Sequence, residues 1–230
     1  MVPLVLVAIV LVLAAAGIGA IIRYSIQARK KRAAEMGGLA QRLGMSFQEN
    51  PPLSIIPDGK RFELFNQGTG RDLRDHMALQ KDGRRVSVFD YAFTIHAGKS
   101  HVTHRQTVVH IHAPGLNLPA FTLRPEHALH RLGGVFGYQD IDVDGDPVFS
   151  DAYLLRGVEE DLIRGCFSAP VREFFVANPG LCAEGSGADL MVWRHSATLP
   201  AQQIQPFMES AYVLMGRFLN SPGQRTTLAG

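Results

Sequence analysis

Cysteine is nearly absent: two residues in 230, Cys166 and Cys182, with neither a CxxC nor a metal-ligand spacing between them. A cysteine-held metal site and a CxxC redox centre are excluded. In a cytoplasmic domain both are expected as reduced, buried thiols, and on the other side of a membrane as one disulfide. There is no phosphate loop. Gly68-Thr69-Gly70 lacks the third glycine of a dinucleotide loop, and Gly185-Ser186-Gly187 is not G-x-S-x-G and reads as a turn. His127 and His130 stand one helical turn apart without the glutamate of a metalloprotease motif. No repeat or low-complexity tract is visible, and no cofactor is expected. Charge is also missing in one place, since no Lys, Arg, Asp or Glu occurs before Arg23.

The uncharged stretch, Met1 to Ile22, is almost wholly apolar. At 1.5 Å per residue, some twenty such residues cross a hydrocarbon core of about 30 Å. Residues 1–22 therefore predict a transmembrane helix. Its small-xxx-small pairs, Ala15/Gly19 and Ala16/Ala20, permit close approach of a second helix, so a homo-oligomer through the span is one expected partner arrangement. The five basic residues Arg23, Arg29, Lys30, Lys31 and Arg32 follow at once. Lysine and arginine mark the cytoplasmic side of a span, which places the rest of the chain in the cytoplasm behind a single span. A cleaved secretory signal is the competing reading, but such signals carry their positive charge ahead of the apolar run. Arg29, Lys30, Lys31 and Arg32 are candidate ligands for anionic lipid headgroups, at about 1 kcal/mol per charge near the surface.

The net charge of +2 belongs to this collar: residues 23–44 hold six Lys or Arg against Glu35, and the remainder is slightly acidic. A nucleic-acid binder should show a basic face on its domain, so nucleic acid is not an expected partner. Residues 23–44 predict a basic juxtamembrane helix that bends or breaks at Gly37-Gly38. Residues 45–220 predict an α+β domain and 221–230 a loose tail. Strands are expected over 73–80, 86–95, 101–112, 118–123, 135–143, 148–155 and 190–193, with an Asp82-Gly83 hairpin turn. Short helices are expected from Arg124-Pro125, over 158–167 and over 169–177. A long amphipathic helix, 200–219, repeats apolar residues at three and four. The fold class is a mainly antiparallel sheet packed with helices.

Three clusters invite chemistry. Asp140-x-Asp142-x-Asp144-Gly145 with Asp151 at the twelfth place follows the calcium-loop pattern, against which stand the shorter Asp151, Pro147 and flanks that read as strands. Histidines 96, 101, 104, 110 and 112 could hold a metal only if strand register brought them face to face. Asp90, between Phe89 and Tyr91 in the strongest strand, is expected to pair with Arg105 on the return strand.

Phe89-Asp90-Tyr91, Gln106-Thr107-Val108-Val109, Leu118-Pro119-Ala120-Phe121, Leu123-Arg124-Pro125-Glu126, and Phe149-Ser150 with Tyr153 together resemble a group of uncharacterised bacterial membrane proteins. The resemblance covers roughly residues 39 to 219. It implies one or two N-terminal spans and a cytoplasmic domain of unknown function, with no catalytic residue to carry over. The expected function is a membrane-anchored cytoplasmic binding domain without catalysis, with the membrane lipid or a protein as partner. The alternatives are an enzyme centred on Asp90, or calcium binding at Asp140 to Asp151.

Overall fold

The computed structural model describes residues 4–56, 58–98, 100–126, 141–143 and 145–222. Helix α1, Leu4–Arg42, is one unbroken rod of 39 residues. The expected break at Gly37-Gly38 does not occur. Both glycines stay helical, and Gly37 lies under the Phe47 ring, where an added Cβ would meet Cδ1 at 3.3 Å. The glycine serves close packing of a strand on the helix.

The described strands form one antiparallel sheet: β1 (Ser46–Gln48), β2 (Thr69–Lys81), β3 (Arg84–Ala97), β4 (Ser100–His112), β5 (Leu118–Pro125), β6 (Tyr153–Gly157), β7 (Leu181–Gly187) and β8 (Asp189–Arg194). Their order is β1-β2-β3-β4-β8-β7-β5-β6. Asp82 and Gly83, both at positive φ, make the tight turn between β2 and β3. Strand β5 does not continue the meander. The β7–β8 hairpin inserts beside β4, and β5 pairs with β7 and β6.

Two sequence expectations need correction, and two more fall largely outside the described residues. Residues 147–152 are helix α2 (Pro147–Ala152) and not strand, because the Asp146 carboxylate caps the Phe149 amide and Pro147 suits the first turn. Arg124 and Pro125 belong to β5, and the helix expected from them is entered at Glu126, its remainder lying outside the described residues. Residues 181–187 are a strand, so Gly185-Ser186 is not a turn. The strand expected over 135–143 falls mostly outside the described residues, of which 141–143 are irregular. Helices α3 (Glu160–Cys166), α4 (Ala169–Ala177) and α5 (Ala201–Leu219) match their predicted places closely.

Alternation along β3 divides the core. Val86 and Val88 face α1, α4 and α5 in the larger cluster, with Met36, Leu39 and Ala40 of α1 buried against them. Phe89, Tyr91 and Phe93 face the opposite way, under a segment of three short 3-10 turns that contributes Ile56, Phe62 and Leu64. The second face of the sheet is thus closed by residues 53–66 and not by the juxtamembrane helix.

Helix α1 is two things in sequence. Its first part exposes Val10, Leu11, Val12, Leu13 and Ile21, and is long and apolar enough to cross a membrane. From Ala33 onward one face of the same rod, Ala33, Met36, Leu39 and Ala40, is buried against the domain, while Ala34, Glu35, Gln41 and Arg42 stay exposed. No flexible joint separates the apolar rod from the sheet.

Candidate functional site

Where α1 first meets the sheet, a cleft of about 400 Å³ opens between Ala28–Arg32 of the helix and the ends of β2, β3 and β4. Its wall carries both signs of charge: Arg29, Arg32, Arg74 and Arg105 with Glu49, Asp72, Asp75 and Asp90. Thr94, Thr103, Thr198 and Asn50 supply neutral polar groups.

Two of these charge pairs are closed. Arg32 donates from Nε and Nη2 to the two Asp90 carboxylate oxygens at 2.9 and 3.0 Å, and Thr107 Oγ1 donates to the same carboxylate at 2.6 Å. Both side chains are mostly buried. The expected partner, Arg105, lies opposite Ala92 and is exposed, so the pairing expected from the strand pattern is corrected. Asp90 is on the face of β3 that looks at α1, and a helix residue 58 positions earlier reaches it first. Arg74 closes on Asp72 in the same way.

The other members are open. Among the described residues, Arg29, Arg105, Glu49 and Asp75 take part in no ion pair or side-chain hydrogen bond. Asp75 stands out. It sits at a register shift between Arg74 and Met77, with φ +50°, a left-handed conformation that costs a non-glycine residue about 1–3 kcal/mol. Its amide bonds Glu49 O at 2.9 Å, which ties the bulge to the chain end after β1. The residue as a whole is 6 % exposed and lines the cleft. Burial first, and the Asp90 charge second, push its pKa up to about 6. A sequence reading of β2 as a regular strand misses it; an aspartate in an otherwise alternating strand is the one signal of a bulge.

The candidate headgroup ligands separate. Arg29, Lys30 and Lys31 are exposed on α1, Lys31 lying 3.9 Å from Glu35, while Arg32 is committed to Asp90. Two of the four calcium-loop residues fall within the described structure. Asp140 and Asp144 lie outside the described residues; Asp142 and Asp151 are exposed, and Asp142 uses its carbonyl to accept from Arg164. Asp146 is engaged with Arg172 at 2.7 Å. The histidines do not converge either. His96 faces His101 across the hairpin end, Nδ1 to Nδ1 at 2.6 Å. His104 meets Ser196. His110 and His112 both contact Asp189 Oδ1, at 2.8 and 3.0 Å, with Arg61 on Oδ2. Among the described residues no group of three His, Cys, Asp or Glu is placed to hold a metal ion.

That Asp189 cluster lies on the covered face of the sheet and is built for structure. Burial would raise the Asp189 carboxyl, but hydrogen bonds and charge from His110 and His112 prevail and hold it down at about 2. Next to it, Arg124 pairs with Glu184, both buried. The Leu64 amide donates to the same Glu184 oxygen at 3.0 Å, pinning the 3-10 segment to the sheet. Arg124 also lies over the Trp193 ring at 4.4 Å. Cys166 and Cys182 are both buried thiols outside any disulfide.

No family model matches the chain, and no curated protein matches it. The chain is similar in structure to the mycobacterial trehalose monomycolate transport factor A, TtfA, with a TM-score of 0.54 and 11% identity over 82% of this chain and 92% of that one. At that identity the likeness shows the fold.

Proposed function

We propose that this chain is a single-pass inner-membrane protein whose cytoplasmic domain binds, without turnover, as an accessory factor to the movement of a membrane lipid. The observation that carries the reading is the continuity of α1: an exposed apolar rod runs without a joint into a helix buried on one face, so the cleft at Ala28–Arg32 is held at a fixed height above the span. Basic residues at the end of the apolar run support the cytoplasmic orientation and the headgroup contacts of Arg29, Lys30 and Lys31. The fold likeness to a trehalose monomycolate transport factor supports the transport setting. Pulse-labelling of lipids in cells lacking the chain tests it. Newly made lipid is retained at the inner membrane, and the full chain restores its distribution while a chain without residues 1–22 does not. An unchanged distribution overturns the reading, as does an extracytoplasmic signal from reporter fusions after Leu43.

A second reading, an acid–base enzyme, has one observation in its favour: a carboxyl with a pKa of about 6 in an open cleft, which is Asp75 and not Asp90. Asp90 is neutralised by Arg32 and lacks a free face for proton transfer. Turnover abolished by Asp75→Asn in membranes, with Asp90→Asn folded and active, would establish it.

A further inference from the structure

The unpaired groups of the cleft divide evenly by sign. Once Arg32–Asp90 and Arg74–Asp72 are closed, two guanidinium groups (Arg29, Arg105) and two carboxyls (Asp75, Glu49) remain without partners among the described residues. A phosphate alone would satisfy only the arginines and would meet repulsion from two carboxylates. An amine alone would leave the arginines unmet. A group that carries both charges a few ångström apart satisfies all four.

We propose that the cleft between α1 and the sheet holds the zwitterionic head of a membrane lipid of the phosphoethanolamine class, its phosphate on Arg29 and Arg105 and its ammonium on Asp75 and Glu49. This rests on the membrane-anchored reading above and names the ligand of that site.

Three further observations support it. The raised pKa of Asp75 marks a buried carboxyl whose desolvation, with the Asp90 and Glu49 charges, outweighs the charges of Arg32 and Arg74, and an ammonium group in the cleft would offset it. Its left-handed φ is strain held in place at the cleft wall, as binding sites often hold it. Height also fits. Ala28 lies six residues past Ile22, about 9 Å along the rod at 1.5 Å per residue, close to the outer edge of a headgroup layer about 5–8 Å deep. The usual helix tilt of about 20° brings one side of the domain nearer still. Arg105 separates this site from the basic collar, because it belongs to β4 and lies outside the run that follows the span.

The test is native mass spectrometry of the full chain in detergent micelles, titrated in turn with phosphatidylethanolamine, phosphatidylglycerol and phosphatidylcholine. The expected order is phosphatidylethanolamine first, by about tenfold over phosphatidylcholine, whose quaternary ammonium has no N–H to donate to Asp75. Asp75→Asn weakens phosphatidylethanolamine about tenfold and does not weaken phosphatidylglycerol, which it relieves of one repelling charge. Arg105→Gln weakens both. Lys81→Gln, at the far end of β2 and outside the cleft, weakens neither by more than about twofold. Arg105 is exposed and Asn tolerates left-handed φ, so both variants fold, and their melting temperatures are read alongside. Equal binding of phosphatidylglycerol and phosphatidylethanolamine, or insensitivity to Asp75→Asn, overturns the proposal. Soluble glycerophosphoethanolamine binding as tightly as the lipid overturns the lipid source. None of these outcomes depends on reporter topology or lipid pulse-labelling, so this proposal and the transport reading fail separately.

Discussion

Arg32 of α1 grips Asp90 of β3 through two hydrogen bonds of 2.9 and 3.0 Å, joining the end of the basic collar to the centre of the sheet. Both side chains are about five-sixths buried, so the pair is only partly screened by water. Removing either partner leaves a desolvated charge, and removing Asp90 also takes the acceptor from Thr107 Oγ1, which accepts in turn from the Leu199 amide. Asp90→Ala and Arg32→Ala are each expected to cost about 2–4 kcal/mol. The double variant should cost clearly less than the two together. Denaturant unfolding of the full chain in detergent, run as a double-mutant cycle, measures this. A sum of the single effects within about 0.5 kcal/mol would mean that the pair does not couple helix to sheet.

Gly185 is the clearest case of a residue that means one thing in sequence and another in the fold. It lies opposite Phe121 in the pairing of β7 with β5, and an added Cβ would come within 2.3 Å of the Phe121 ring and 2.9 Å of Leu118. The ring occupies the space that a side chain would fill. Gly185→Ala is expected to destabilise by about 1–3 kcal/mol through overpacking. Gly216, with nothing near its missing Cβ and a helical place in α5, should gain from the same change, by about 0.5–1 kcal/mol. Thermal scans of both variants check the contrast in sign.

The same contrast explains what the sequence could and could not disclose. Strand β3 was legible because Val86, Val88, Phe89, Tyr91 and Phe93 alternate large apolar groups on two buried faces, a pattern with few other solutions. Helix α5 was legible from Ile204, Phe207, Met208, Ala211 and Met215 at helical spacing. Strand β7 was not, because Ala183, Gly185 and Ser186 carry the composition of a turn and are made a strand only by their neighbours. Helix α2 had a local signal, Asp146 followed by Pro147, outweighed by the β-branched and aromatic residues after it. The cleft was half legible: its basic wall follows the span, but Asp75 is revealed by a bulge, which is a property of pairing.

Burial lowers the pKa of three histidines: His76 to about 4, with His104 and His110 also lowered. A histidine with a depressed folded pKa binds fewer protons in the folded state. Its contribution is therefore complete above about 6.5 and is lost as pH falls from there towards the folded value. For His76 alone the loss at pH 5 is on the order of 2 kcal/mol. The melting temperature should fall between pH 7.5 and pH 5, and His76→Phe, which keeps the ring beside Phe89, should flatten the decline. A flat profile in the parent chain would mean that these rings protonate as freely folded as unfolded.

Asp75 works in the opposite direction. Its folded pKa of about 6 lies above the ordinary 3.8, so between those values the folded state holds the proton more often than the unfolded state does. Stability from this group is therefore greatest below pH 3.8 and falls as pH rises through about 6, beyond which the buried charge costs on the order of 2 kcal/mol. Asparagine keeps the shape and accepts φ near +50° but has no charge to desolvate. Asp75→Asn should raise stability at pH 8 by about 1–2 kcal/mol and leave it nearly unchanged at pH 4, as read by denaturant unfolding at the two values. Alanine at the same position, lacking the side-chain amide that eases the left-handed backbone, should gain less. A carboxylate that makes its own fold less stable is not retained for packing, so a gain in stability with Asp75→Asn, joined to a loss of ligand, would identify position 75 as one kept for binding.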